Sequence, residues 1–187
     1  STRVHALMAL RTMLECHPRP FHALIDVVLR STLEACRDDV QDVLSSAGTT
    51  LGLMAKKLNA THCARAVLPI IALQSEVVAE GGGGASGSDS SANAEEGAVL
   101  RMGLRTLSLL VPKMSSATVY AALQDLMPPV LNAINSTVSA TRKEAVFLFV
   151  RVYNSVGDAH ARPYMGKLSV AQSKLVTIYV QRSKKSV

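Results

Sequence analysis

The chain has 187 residues, is 48% hydrophobic, contains no Trp and only 4% aromatic residues, and carries a net charge of +6. This excludes a disordered chain and leaves a core resting on Leu, Val, Ala, Ile and Met, a composition that favours helices over sheets. Residues 138–187 hold nine Lys or Arg against two Asp or Glu, so all of the net basicity lies in the last quarter and points to an acidic protein surface, tubulin tails or a nucleic acid.

Thr2 to Cys16 repeats apolar residues at helical spacing (Val4, Leu7, Met8, Leu14), and Pro18 closes the pattern. Pro20 opens a second helix through Phe21, Leu24, Ile25, Val28 and Thr32 that fades near Arg37. A link this short makes the two an antiparallel hairpin. The hairpin recurs. Asp38 or Asp39 is expected to cap a helix with the face Val40, Val43, Leu44, Ala47, Leu51, Met54 and Leu58. Thr61 is expected to start its partner, which runs through Val67, Leu68, Pro69, Ile70 and Ile71. Gly81 to Ala94, with five Gly, four Ser and no large apolar residue, reads as a flexible loop within the domain.

Periodicity resumes at Val99, Met102, Thr106, Leu107, Leu110 and Met114. Ser115 or Ser116 caps a partner bearing Val119, Tyr120, Leu123, Met127, Val130, Leu131 and Ile134, and Pro128-Pro129 should kink it. Val138 to Gly157 carries two adjoining stripes, Ala145, Phe149, Val152 and Val156 beside Val146, Val150 and Tyr153. Such a helix must be covered on more than one side. Thr141 with Glu144 fits a capping box, Ser139 is a rival cap, and Gly157 is a stop. Ala159 to Lys167 predicts a short helical turn, and Leu168, Ala171, Leu175, Ile178 and Arg182 mark a last helix.

The units fall at 1–37, 38–94, 95–138 and 139–187. Without the loop they have the length of HEAT-type repeats, about 40–47 residues of paired helices. The expected fold is all-α, an α-solenoid of about four HEAT-like hairpins forming one domain over residues 1–187, each pair burying its stripe against its neighbours. A four-helix bundle with additional helices is the competing architecture.

The residues also carry a family resemblance. Ser139 through Gly157, with Arg142-Lys143-Glu144-Ala145-Val146-Phe147 followed by Val150 and Tyr153, resembles the C-terminal helical domain of the CLIP-associating proteins, the CLASP family of microtubule regulators. Thr32-Leu33-Glu34-Ala35, Leu68-Pro69-Ile70-Ile71, and Lys174-Leu175 through Ile178-Tyr179-Val180-Gln181-Arg182 fit the same domain in the same order. Only Gly81 to Ala94 stands outside the family pattern. The resemblance implies a TOG-like HEAT domain without enzymatic activity that controls microtubule dynamics and mitotic spindle function by recruitment. The implied partners are CLIP-type plus-end proteins, a kinetochore kinesin, and cortical or Golgi adaptors, with microtubules reached through the full-length protein. The implied location is the cytoplasm and cytoskeleton, at microtubule plus ends, spindle and kinetochore. TOG domains that grip tubulin do so through the turns within each hairpin, typically with a Trp in the first. That turn reads Cys16-His17-Pro18-Arg19-Pro20 here, so a direct tubulin-binding TOG domain is the alternative reading. An RNA-binding helical repeat is the second alternative.

The sequence carries no recognisable catalytic, metal or cofactor motif. His5, His17, His22, His62 and His160 form no HExxH, and the adjacent pairs Cys16-His17 and His62-Cys63 point apart on a helix. There is no GxSxG, Walker A or dinucleotide fingerprint, and Asp158 and His160 near Ser155 show no third partner. No catalytic residue, metal or cofactor is expected. The four-glycine run is flanked by Glu80, Asp89, Glu95 and Glu96, which would repel a phosphate. Cys16, Cys36 and Cys63 form no paired framework and read as thiols of a reduced, intracellular protein. The longest apolar run, Ala66 to Leu73, is far short of the roughly 20 residues that span a bilayer, so no membrane insertion is expected. Arg3, His5, Arg11 and Glu15 interrupt the apolar pattern of the first helix, so this stretch is not expected to act as a signal peptide. Five of the seven aromatics lie in the basic quarter, mostly at core positions rather than on a stacking platform, which argues against nucleic acid.

The residues expected to bind a partner are basic. Arg142 and Lys143 sit in the first turn of their helix, where the positive helix end disfavours cations, so they are either a solvated basic turn or are held by a nearby acidic residue or a partner. Lys56, Lys57 and Lys113 fall in or beside the turns within units and should line up as a ridge on the opposite edge. The Arg142 and Lys143 surface is expected to recruit an acidic partner segment.

Overall fold

The computed structural model describes residues 2–80 and 90–185. Several of its helices begin where a side chain can take an otherwise unpaired backbone N–H. Asn59 Oδ1 accepts from the His62 N–H at 3.0 Å where α4 (Ala60–Glu80) starts, and Ser115 Oγ accepts from the Thr118 N–H at 3.1 Å where α6 (Ser116–Ala121) starts. Ser169 and Gln172 form a reciprocal capping box, 2.9 and 3.3 Å, at the head of α10 (Val170–Lys185). The remaining helices are α1 (Thr2–Cys16), α2 (Ile25–Glu34), α3 (Gln41–Lys57), α5 (Ser90–Leu110), α7 (Leu123–Ile134), α8 (Ser139–Val156) and α9 (Asp158–Met165). No strand occurs among the described residues.

The helices make two layers. α1, α3, α5, α8 and α10 pack side by side in sequence, and α2, α4 and α7 do the same behind them. α9 packs against α8, and its His160 ring lies 4.4 Å from that of Tyr120 on α6. α1, α3, α5 and α8 are thus each followed by a return helix, the arrangement of an all-α solenoid, and α10 closes the front layer. The buried Leu, Val, Ile and Met side chains run through all units as one continuous core.

α8 is covered as its two stripes require, by α5 and α10 on its flanks and by α7 behind. Phe149 is 1% exposed and Leu148, outside both expected stripes, is fully buried. Gly157 stops the helix at φ 82°, ψ 171°, a backbone state open essentially to glycine alone. Asp158 then begins α9, and its carboxylate accepts from the Tyr153 hydroxyl at 2.7 Å and pairs with Arg162. That bond pushes the Tyr153 phenol above its ordinary range.

Five local expectations are corrected. α8 starts at Ser139 with Val138 as its cap residue, and neither Thr141 nor Ser139 caps it. Thr141 is instead buried in the first turn. α3 is capped by Val40, whose N–H is taken by Asp38 Oδ1 one step earlier, at 2.9 Å. Asn59 rather than Thr61 opens α4. The helix holding Pro128-Pro129 runs on through both prolines as α7, and the break falls instead at Ala122, which separates it from α6, where Tyr120 is 54% exposed. The stripe expected to bury α10 faces outward, for Ala171, Leu175, Ile178 and Arg182 are exposed while Val176 and Val180 are buried.

α10 is also not the return helix of α8. Gln172 Nε2 reaches Asn135 just before α8 at 2.9 Å, and Asn154 near its end reaches Ser183 at 2.8 Å. The two helices therefore run in the same direction, and α9 is the return. Of the stretch expected to be a loop, residues 81–89 lie outside the described residues, and the backbone of α5 is helical from Ser90 onward.

Candidate functional site

Arg142 lies in the first turn of α8, and the structure accounts for its unfavourable position. Its Nη1 donates to the carbonyl oxygens of Ser136 and Thr137, both at 2.8 Å, in the turn that joins α7 to α8. The guanidinium is held by backbone acceptors, not by a carboxylate. Lys143 beside it is exposed, and its ammonium stands 5.8 Å from the centre of the Phe147 ring one turn along.

Both residues line a hollow of about 390 Å³ between α8 and α10, with Val146, Phe147, Leu175 and Tyr179 as its apolar part. A second hollow shares Phe147 and Tyr179 with the first and extends it toward Arg151, Arg182 and Ser108 of α5. The two hollows flank the shared Phe147–Tyr179 pair and with it make up the groove between the parallel helices α8 and α10. It is basic at both ends and apolar between, and among the described residues no acidic side chain lines it. The Phe147 and Tyr179 rings meet edge to face at 5.5 Å and 79°. The exposed stripe of α10 borders the groove through Leu175.

The other expected residues are elsewhere. Lys56 and Lys113 share a hollow between α1 and α3 with Arg11 and Glu15. Lys113 Nζ donates to the Ala55 carbonyl at 2.7 Å, which joins the turns of neighbouring units. Lys57 closes α3 on the surface but does not line that hollow. Arg142 and Lys143 are thus brought together in one place and Lys56 with Lys113 in another. The sequence reading missed Arg151 and Arg182. The signal was available, since Arg151 follows Lys143 by two helical turns and Phe147 lies midway.

Ser155, Asp158 and His160 assemble no catalytic geometry: Asp158 holds Tyr153 and Arg162, and His160 rests on Tyr120. Among the described residues no three His, Cys, Asp or Glu side chains converge on a metal position. No described helix is long and apolar enough to cross a membrane. Burial pushes the Cys36 thiol up to about 12 and the Cys63 thiol up to about 11, far from a reactive thiolate.

No family model matches the chain. Individual relatives do. CLIP-associating protein 1-B of Xenopus laevis is 25% identical over 97% of this chain, and the CLIP-associated protein of Arabidopsis thaliana is 24% identical over 95%. Protein CLASP-3 of Caenorhabditis elegans is 29% identical over 43% of this chain and 8% of its own length. The chain spans 11% of the length of the Xenopus and Arabidopsis relatives. An animal and a plant protein thus align with nearly every unit of the helical array, and along nearly its whole length the chain is similar to the CLIP-associating proteins (CLASPs).

Proposed function

We propose that this chain is a protein-interaction domain of a microtubule-associated regulator, acting by recruitment and not by catalysis. The observation that carries this reading is the α8–α10 groove, which pairs an apolar floor with cations at both ends. A surface of that kind suits an acidic segment of another protein, because charge steers the encounter and apolar contact supplies the affinity. CLIP-type plus-end proteins are the first candidates, since CLIP association gives the relatives their name. A kinetochore kinesin and cortical or Golgi adaptors follow as further candidates. The working sites would be plus ends, spindle and kinetochore.

The test compares two charge reversals, Arg142→Glu with Lys143→Glu, and Lys56→Glu with Lys57→Glu. Capture of a CLIP-type plus-end protein should fall for the first pair only, and tubulin co-sedimentation should be weak for wild type and both variants. Because Arg142→Glu also releases the Ser136 and Thr137 carbonyls, Lys143→Glu alone serves as the variant that leaves the turn intact. Strong tubulin binding abolished by the Lys56 and Lys57 pair would instead identify a tubulin-gripping domain.

A further inference from the structure

We infer that the α8–α10 groove receives a single amphipathic, acidic helix from a partner protein. The helix lies along the groove with its apolar stripe on Phe147, Leu175 and Tyr179 and a carboxylate at each end. This rests on the recruiting role proposed above and adds the occupant's conformation and register.

The spacing of the cations sets that register. Lys143 and Arg151 are eight residues apart on α8, about 12 Å at a helical rise of about 1.5 Å per residue. A helix lying parallel to α8 meets both with carboxylates seven or eight residues apart, two turns along one face. Its apolar residues fall three or four positions after the first carboxylate, opposite Phe147. An extended segment would cover the same distance in about four residues, so the two conformations require different sequences.

The outer stripe of α10 favours the helix. Ala171, Leu175 and Ile178 follow one another at helical spacing on its exposed side, and Leu175 is 42% and Ile178 46% exposed. Leu175 is the member of that stripe that lines the groove beside Phe147 and Tyr179, so the apolar trough between α8 and α10 continues onto the outer side of α10, a surface that accepts the apolar stripe of a partner helix. Arg142, tied to two carbonyls, is already fixed at one mouth of that trough, so little side-chain freedom is lost on binding. The aromatic geometry weighs against single-stranded nucleic acid. Phe147 and Tyr179 turn edge to face toward each other, and Lys143 stands over the Phe147 ring, so the pair offers no open parallel slot for a base.

The experiment pans a phage library of random 16-residue peptides on the 187-residue chain, then measures the enriched peptides in synthetic form. The expected winners carry Asp or Glu seven or eight residues apart, with Leu, Ile, Phe or Met three and four residues after the first, and become helical on binding by circular dichroism. Their affinity should fall about tenfold or more for Lys143→Glu with Arg151→Glu, and separately for Leu175→Asp. All three positions are exposed, so both variants should retain wild-type helicity and melting.

Several outcomes overturn the inference: no enrichment, winners insensitive to both variants, or an acid spacing of four with no gain in helicity. A concentration-dependent dimer lost in Leu175→Asp would assign the groove to a second copy. An RNA oligonucleotide that binds with the same sensitivity would assign it to nucleic acid. If peptides fail while capture of a CLIP-type protein still depends on Lys143, the helical occupant is wrong and the recruiting role stands. If that capture is also insensitive, the role itself fails.

Discussion

The ammonium of Lys113, in the turn after α5, donates to the carbonyl oxygen of Ala55 in the last turn of α3 at 2.7 Å. That carbonyl is among those a helix end leaves without a backbone partner. A cation is well placed there, because it also meets the negative end of the helix. The contact crosses between units, so it ties the stack together along the hairpin-turn edge. Lys113→Met should lower stability by about 1 kcal/mol, at the modest end for a charged hydrogen bond because Lys113 is exposed and water can replace it. Lys57→Met, at the end of α3 on the same edge, should change stability by less than about 0.5 kcal/mol. Thermal melting of the two variants checks this, and equal shifts would show that the Lys113 contact adds nothing.

The same contact shows how far the sequence reaches. Hairpin periodicity placed Lys56 and Lys113 in neighbouring turns, and they share a hollow. Periodicity alone could not say which face of a helix finds a neighbour. α10 has two faces, Ala171-Leu175-Ile178 and Val176-Val180, and the larger side chains lie on the outer one. The reading took that stripe for core because burial is the commoner fate of such a pattern. Capping was misread for a related reason. Thr141 and Glu144 have capping-box spacing, but the cap position falls three residues earlier, at Val138, and Thr141 is drawn into the core. Ser169 and Gln172 have the same spacing and do form the box. The spacing permits the reciprocal box, and the path of the preceding loop decides whether it forms.

Phe149 is among the largest fully buried side chains, in the helix that α5, α7, α9 and α10 all touch. Phe149→Ala should destabilise by about 3–5 kcal/mol, through lost transfer energy and the cavity left behind. In a solenoid each unit is held by its neighbours, so faster hydrogen exchange should appear in α5, α7 and α10 as well as in α8. Exchange accelerated only in the turn around residue 149 would contradict that coupling.

The three thiols divide by environment. Cys16 is exposed, whereas Cys36 and Cys63 are buried with their thiols pushed up to about 12 and about 11 by desolvation. Only the thiolate attacks an alkylating reagent, and it needs access as well as charge. Near pH 8 the native protein should take up one iodoacetamide quickly, at Cys16, and the other two only as it opens. Raising the pH by one unit should leave Cys36 and Cys63 unlabelled on the same timescale, because both values stay above it. Mass spectrometry of the labelled peptides reads the order, and labelling of all three thiols at one rate would mean that the α2 and α4 units are open in solution.

Gly103 on α5 and Gly52 on α3 both occupy helix interiors, where glycine is less favourable than alanine by about 1 kcal/mol. Their surroundings reverse what replacement should do. A Cβ at Gly103 would lie 2.4 Å from Ile71 Cγ2 and 3.7 Å from Val67 Cγ1, both on α4. Ile71 is β-branched and fully buried, so its methyl cannot swing aside and the helices would have to separate. Overpacking of that kind costs about 1–3 kcal/mol, which meets or exceeds the helical gain. A Cβ at Gly52 meets nothing within 4 Å, so only the gain remains. Gly52→Ala should therefore stabilise the domain by up to about 1 kcal/mol, and Gly103→Ala should leave it unchanged or destabilise it by up to about 2 kcal/mol. Denaturant unfolding with an unchanged m-value gives both numbers. Stabilisation by Gly103→Ala equal to that at Gly52 would mean that α4 and α5 do not approach as closely as the packing of Gly103 on Ile71 requires.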